Sequence, residues 1–226
     1  MEDVSNLSTK LGLKFRNPVL LEVALTHRSY LNENRKAGGE HNERMEFLGD
    51  AVLELIVTEY LYQNYQDPEG VLTNWRSAIV KTESLNGAAT ELGLDRFIRL
   101  SRGEARGTER AKRQIMANAL EAIIGAIYLD QGYAVTRDFI IKHLLKQLKT
   151  IIKTGAWQDA KTKLQEMIQE REGFTPTYKV LSEVGPDHDK QFTVGVYVGE
   201  ELRGQGIGTS KQTAQQDAAA SALEKY

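Results

Sequence analysis

The period of the hydrophobic pattern changes once along this chain, near residue 152, and a segment patterned for a helix cannot double as a half-buried strand. Before that point apolar residues recur at helical spacing. The pattern predicts helices over 19–30, 42–62, 72–92 and 114–130, with Leu48, Val52, Leu55 and Ile56 on one stripe of the second. Breakers separate them at Gly38-Gly39, 66–70, 92–95 and 103–107, and Gly132 is expected to cap the last. After residue 190 the spacing becomes strict alternation. Phe192, Val194, Val196 and Val198 point one way and Thr193, Gly195, Tyr197 and Gly199 the other, the mark of a half-buried strand. Strands are predicted over 178–184, 191–199 and 201–207, between a helix over 162–172 and another over 211–224. That last helix carries Ala214, Ala218, Ala219 and Ala222, small enough to let it lie close on a sheet. The expected fold is an all-α domain over 4–152, a linker over 153–158, and a small α+β domain of order α-β-β-β-α over 159–226.

A chain of 226 residues, 41% apolar, has the material for two cores of this kind and is not of disordered composition. The absence of cysteine removes thiolate chemistry, disulfides and cysteine-held metals, and a reducing cytoplasm is the expected location. The longest apolar runs, such as Ala122 to Ile127, fall far short of the ~20 residues of a membrane helix, so no membrane partner is expected. A net charge of −2 offers no global support for a nucleic-acid partner. Such a partner has to be argued from local features.

Glu43, Glu46 and Asp50 stand at i, i+3 and i+7 of the second predicted helix, within about 60° of one another around its axis. A solvated acidic face is the plain reading of such a run. Against it stand Phe47, Leu48, Ala51 and Val52, which interleave with the acids and set them at the margin of the core. Asn118 and Glu121 form a second polar pair in an otherwise apolar helix, where an unpaired polar group is costly. Glu46, Asp50, Asn118 and Glu121 together make an all-oxygen set suited to Mg²⁺, with Mn²⁺ as a substitute.

The segment His41–Val52, HNERMEFLGDAV, closely resembles the signature of the ribonuclease III family of double-stranded-RNA endonucleases. Ala24–Tyr30 (ALTHRSY), Glu69–Thr73 (EGVLT) and Ala117–Asp130 (ANALEAIIGAIYLD) match its other blocks in order. The resemblance implies that Glu46 is a metal ligand, Asp50 a catalytic carboxylate, Glu121 both, and Glu43 a further acid of the site. It also implies metal-assisted phosphodiester hydrolysis leaving 5′-phosphate and 3′-hydroxyl ends, in rRNA and mRNA processing. A homodimer is implied too, with Phe47 at the subunit interface. One position departs from the family pattern. Asn118 stands where the family usually has Asp, and an amide keeps an oxygen ligand but loses a charge, so weaker metal binding is expected. If that loss disables the site, the alternative is a dimer that binds double-stranded RNA without cutting it.

The tail resembles a double-stranded-RNA-binding domain, which reads A-form shape through small contact sets. Thr162, Gln165, Glu166 and Gln169 match its first-helix set, His188 the tip of its minor-groove loop, and Ser210 and Lys211 its phosphate-facing helix start. Residues 156–226 nevertheless carry 8 basic and 11 acidic side chains, a net of −3, so weak binding with shallow salt dependence is expected of the tail alone. Arg96, Arg99, Arg102, Arg106, Arg110, Lys112 and Arg113 supply a compensating basic edge in the helical domain. The glycines of 204–211 read as a tight strand-to-helix passage, not a nucleotide loop, and His27 as a structural hydrogen-bonder inside a helix.

Overall fold

The structure, a computed structural model, describes residues 4–155, 157, 159–186 and 190–226. The chain divides into two compact units, Met1–Thr154 and Gly155–Tyr226. The first is built from α1 (Val4–Leu11), α2 (Pro18–Ala24), α3 (Arg28–Glu33), α4 (Glu43–Asn64), α5 (Glu69–Val80), α6 (Thr82–Glu91), α7 (Arg102–Ala105), α8 (Glu109–Gln131), α9 (Tyr133–His143) and α10 (Leu148–Thr154). The central element is α8. Ala119, Leu120 and every residue from Ala122 to Ile127 are buried, because α2, α4, α6 and α9 pack around it and leave it no solvent face there. It ends as expected at Gly132, whose φ of 78° is open to glycine and whose N–H donates to the Tyr128 carbonyl. Just before that cap, the buried Asp130 carboxylate accepts the backbone N–H groups of Arg16 (2.9 Å) and Asn17 (2.8 Å), tying the start of α2 to the end of α8.

Two predicted helices are each a pair. The stretch 19–30 breaks at Thr26, which forms a parallel bridge with Arg99, and at His27, which is extended and caps α3 by accepting the Ser29 N–H. His27 is thus a structural hydrogen-bonder, but at a helix start and not inside one. The stretch 72–92 breaks at Lys81, whose ψ of 152° separates α5 from α6. Apolar spacing runs through both breaks: α5 and α6 bury Ile79 and Leu85 on either side of Lys81, while α3 has no buried residue and carries only the half-buried Tyr30 and Leu31 past His27. Leu55 also departs from its predicted stripe. It is 58% exposed, since the buried face of α4 is centred on Met45, Gly49, Val52, Leu53 and Ile56, which leaves Leu55 beyond its edge.

The second unit comprises α11 (Ala160–Glu172), β1 (Thr177–Val184), β2 (Gln191–Val198), β3 (Glu201–Gly208) and α12 (Lys211–Leu223), its antiparallel sheet in the order β1-β2-β3. Val194, Val196 and Val198 of β2 meet Leu164 and Ile168 of α11 and the alanines of α12 in a small core. The glycines of 204–208 are strand residues, not the passage the spacing suggested. A Cβ at Gly206 would lie 2.0 Å from the Ala218 nitrogen and one at Gly204 2.5 Å from the Ala218 oxygen, so bare backbone in β3 lets α12 settle onto the sheet. β1 carries a bulge: Val180 pairs with Val194 but Ser182 with Thr193, and the phase of the strand shifts by one residue at Leu181.

Candidate metal centre and nucleic-acid interface

Glycine decides how near α4 and α8 come. A Cβ on Gly49 would sit 1.8 Å from the Glu121 carbonyl oxygen, and one on Gly125 2.4 Å from that of Met45, so the two backbones touch where any side chain would hold them apart. Glu46 and Asp50 flank Gly49 on α4, and Asn118 and Glu121 lie on α8 at the same crossing. The structure therefore sets these four residues where the two helices cross, near enough for Glu46, Asp50 and Glu121 to feel one another's charge. Asn118 lies near enough to the Glu46 carboxylate to lower its pKa. Its own oxygen accepts from Gln114 Nε2 at 2.7 Å, and Gln114 in turn accepts from the Thr82 hydroxyl at 3.4 Å. Gln114 gave no sign in the sequence, since a surface glutamine in a helix is commonplace.

Burial raises the pKa of Glu46 above the usual carboxylate range, the Asn118 hydrogen bond pulls it back, and the charges of Glu43 and Asp50 push it up again. Glu121 is pushed up to about 7, first by burial and then by Asp50 and Glu46. Among the described residues no Lys, Arg or His forms an ion pair with Glu46, Asp50 or Glu121. Glu43, whose charge reaches Glu46, differs in lying 3.6 Å from Arg28 and 3.8 Å from His41 Nδ1. Nor do any three His, Asp or Glu side chains among the described residues already form a ready metal cage. The acids share a field more than a clasp. Carboxylate and amide oxygens with no cationic partner among the described residues suit a hard divalent ion.

Phe47 projects from α4 81% exposed, and Leu55 and Tyr62 follow on the same face, 58% and 78% exposed. That rules out an internal packing role for Phe47 within this chain. Arg106, Arg110 and Arg113 are exposed with no acidic partner among the described residues, whereas Arg99 pairs with Glu22 at 3.4 Å and Lys112 with Glu109 at 3.1 Å. In the tail, Thr162 lies in the first turn of α11, where its N–H and hydroxyl donate to Asp159 at 3.0 and 2.7 Å. Gln165, Glu166 and Gln169 share the exposed side of that helix. Ser210 caps α12 in a capping box with Thr213, and Lys211 follows it. His188 lies outside the described residues.

Residues 17–148 match the ribonuclease-III-like family and residues 160–226 the double-stranded RNA binding motif. Ribonuclease 3 of Latilactobacillus sakei is 44% identical over 98% of this chain and 96% of its own length; that of Desulforamulus reducens is 45% identical over 99% and 91%. Among solved structures, the nuclease domain of ribonuclease III from Campylobacter jejuni aligns with a TM-score of 0.58 at 38% identity, covering 64% of this chain and 97% of that one. The chain belongs to the ribonuclease III family and is an endoribonuclease with a double-stranded-RNA-binding domain. The family is metal-dependent. No helix among the described residues is long and apolar enough to cross a membrane.

Proposed function

We propose that this enzyme cleaves double-stranded RNA by hydrolysis of phosphodiester bonds assisted by Mg²⁺, with Mn²⁺ as a substitute, in the processing of rRNA and mRNA in the cytoplasm. The nuclease domain spans 4–152 and the RNA-holding domain 159–226, joined through 153–158. Glu46, Asp50, Asn118 and Glu121 hold the metal, Asp50 and Glu121 are the principal catalytic carboxylates, and Glu43 completes the acidic site. A divalent ion held by these residues would supply a bound water of lowered pKa and offset charge on the scissile phosphate. Glu121, whose pKa burial and the neighbouring acids push up to about 7, would be favoured in its ionised form by a cation held there. Asn118 favours the ionised form of the Glu46 carboxylate. Products carry 5′-phosphate and 3′-hydroxyl ends.

The observation that carries this reading is the convergence of Glu46, Asp50 and Glu121 at the glycine crossing without a cationic partner among the described residues. Two further features extend it. The exposed stripe of Phe47, Leu55 and Tyr62 suits a homodimer interface centred on Phe47, and a structure of the Campylobacter jejuni nuclease domain concerns a region involved in dimer formation. Thr162, Gln165, Glu166, Gln169, His188, Ser210 and Lys211 contact the duplex. The test is incubation of labelled long double-stranded RNA with Mg²⁺ or Mn²⁺, beside an Asn118→Asp variant. Cleavage by the unaltered chain is expected. If only the variant cuts, the unaltered chain is a non-cleaving binder.

A further inference from the structure

A strand residue in the tail lies against two lysines of the proposed RNA-holding domain. Up to Val180, the even-numbered residues of β1 face the helices, opposite Val194 and Val196 of β2. Continued without interruption, that phase would put Ser182 opposite Phe192 and turn Glu183 to the open face of the sheet. The extra residue at Leu181 reverses this, and Glu183 pairs with Phe192 on the helix-bearing side. There its carboxylate stands 3.1 Å from Lys211 Nζ at the start of α12 and 3.9 Å from Lys190 Nζ, beyond the β1–β2 connection. Lys211 Nζ also lies 5.6 Å from the centre of the Phe192 ring, the register partner of Glu183. One acid thus touches two lysines on separate elements, and the bulge is what aims it.

We propose that Glu183 is a built-in competitor for the RNA phosphate, a specificity-determining residue that holds Lys211 and Lys190 until a duplex backbone displaces it. The proposal rests on the reading that this domain holds duplex RNA with Lys211 at a phosphate. A carboxylate offers these lysines the same chemistry as a phosphate oxygen, so each lysine must leave Glu183 to reach RNA. With Lys211 58% and Glu183 38% exposed, the pair is weak enough to exchange, so it tunes affinity without blocking binding. A duplex with regular A-form phosphate spacing replaces both contacts together, whereas an isolated phosphate or a flexible single strand does so poorly.

The test is fluorescence anisotropy of the full chain with a labelled RNA duplex in EDTA, across a salt series, for Glu183→Gln, Lys211→Gln and the double variant, with thermal melting as a fold control. Glu183→Gln is expected to tighten binding about two- to fivefold at low salt, the range of an exposed ion pair, and to steepen the salt dependence by about one counterion. Lys211→Gln should weaken binding, and the gain should be lost or reduced in the double variant. Glu183→Thr, which suits a strand, should reproduce the gain if the glutamine variant melts low. Unchanged or weaker binding on removing Glu183, while Lys211→Gln still weakens it, overturns the proposal and leaves the RNA-holding role of the domain standing. If Lys211→Gln and Lys190→Gln both leave affinity and salt slope unchanged, these lysines are not phosphate contacts and the underlying reading fails there as well.

Discussion

In the helical unit Glu46, Asp50 and Glu121 crowd together with no cationic partner among the described residues, whereas in the tail Lys190, Lys211 and Arg203 each lie against a carboxylate. Lys161 and Lys179 add their own contacts there, lying 5.0 and 4.9 Å from the ring centres of Tyr178 and Tyr197. Numbers of charges do not explain the contrast, since residues 1–155 carry 21 basic and 20 acidic side chains and residues 156–226 carry 8 and 11. Placement explains it. Two helices joined through glycines set like charges at the edge of a core with no internal cation beside them; a small exposed sheet lets Lys190 and Lys211 find an internal partner at little cost. The first unit awaits its charge from outside, and the second gives up internal contacts to bind.

The sharpest way to break this contrast is Glu121→Gln. Cleavage should fall by at least about a hundredfold while duplex retention in a gel shift stays intact, and loss of retention would show that Glu121 serves RNA holding instead. Gly49→Ala comes next. Its Cβ would strike the Glu121 carbonyl, so urea unfolding should show the helical unit destabilised by ~3 kcal/mol and metal affinity should fall with it. Gly206→Ala should cost the tail a similar amount and leave metal affinity untouched, and equal effects on metal binding would erase the distinction between the units.

Asn118→Asp restores a charge to the site and should tighten Mn²⁺ binding about tenfold, read by calorimetry without RNA. The smallest effect is that of pH. Glu121 and Glu46 have folded pKa values raised above the unfolded value of 4.5, so the unfolded chain loses these protons first. Their stabilising contribution is complete below about 4.5 and is lost as pH rises through about 7 for Glu121. Metal-free protein should therefore lose stability over that window, Glu121→Gln should flatten the loss, and Mg²⁺ should raise the melting temperature more at pH 8 than at pH 6.

Much of the architecture was legible because period is a local property. The switch from helical spacing to alternation places the all-α and α-β-β-β-α units, and the valines of β2 face their core as the alternation requires. The breaks at His27 and Lys81 were not legible, since neither is marked by glycine or proline and apolar spacing continues across both. The acids 43, 46 and 50 could be set on one face from spacing alone. That Asn118 and Glu121 stand beside them could not, because their approach depends on two glycines seventy-six residues apart meeting backbone to backbone. The hold of Glu183 on Lys211 was less accessible still, as simple alternation puts Glu183 on the wrong face.

By itself the sequence determined the change of period between the two units, the acidic face and the family signature, all of which follow from neighbours along the chain. The tertiary structure alone decided which charges meet. Helix crossing and strand register are set by close approach of backbones, at Gly49 and Gly125 in one unit and by one extra residue at Leu181 in the other, and a shift of a single residue changes every partner.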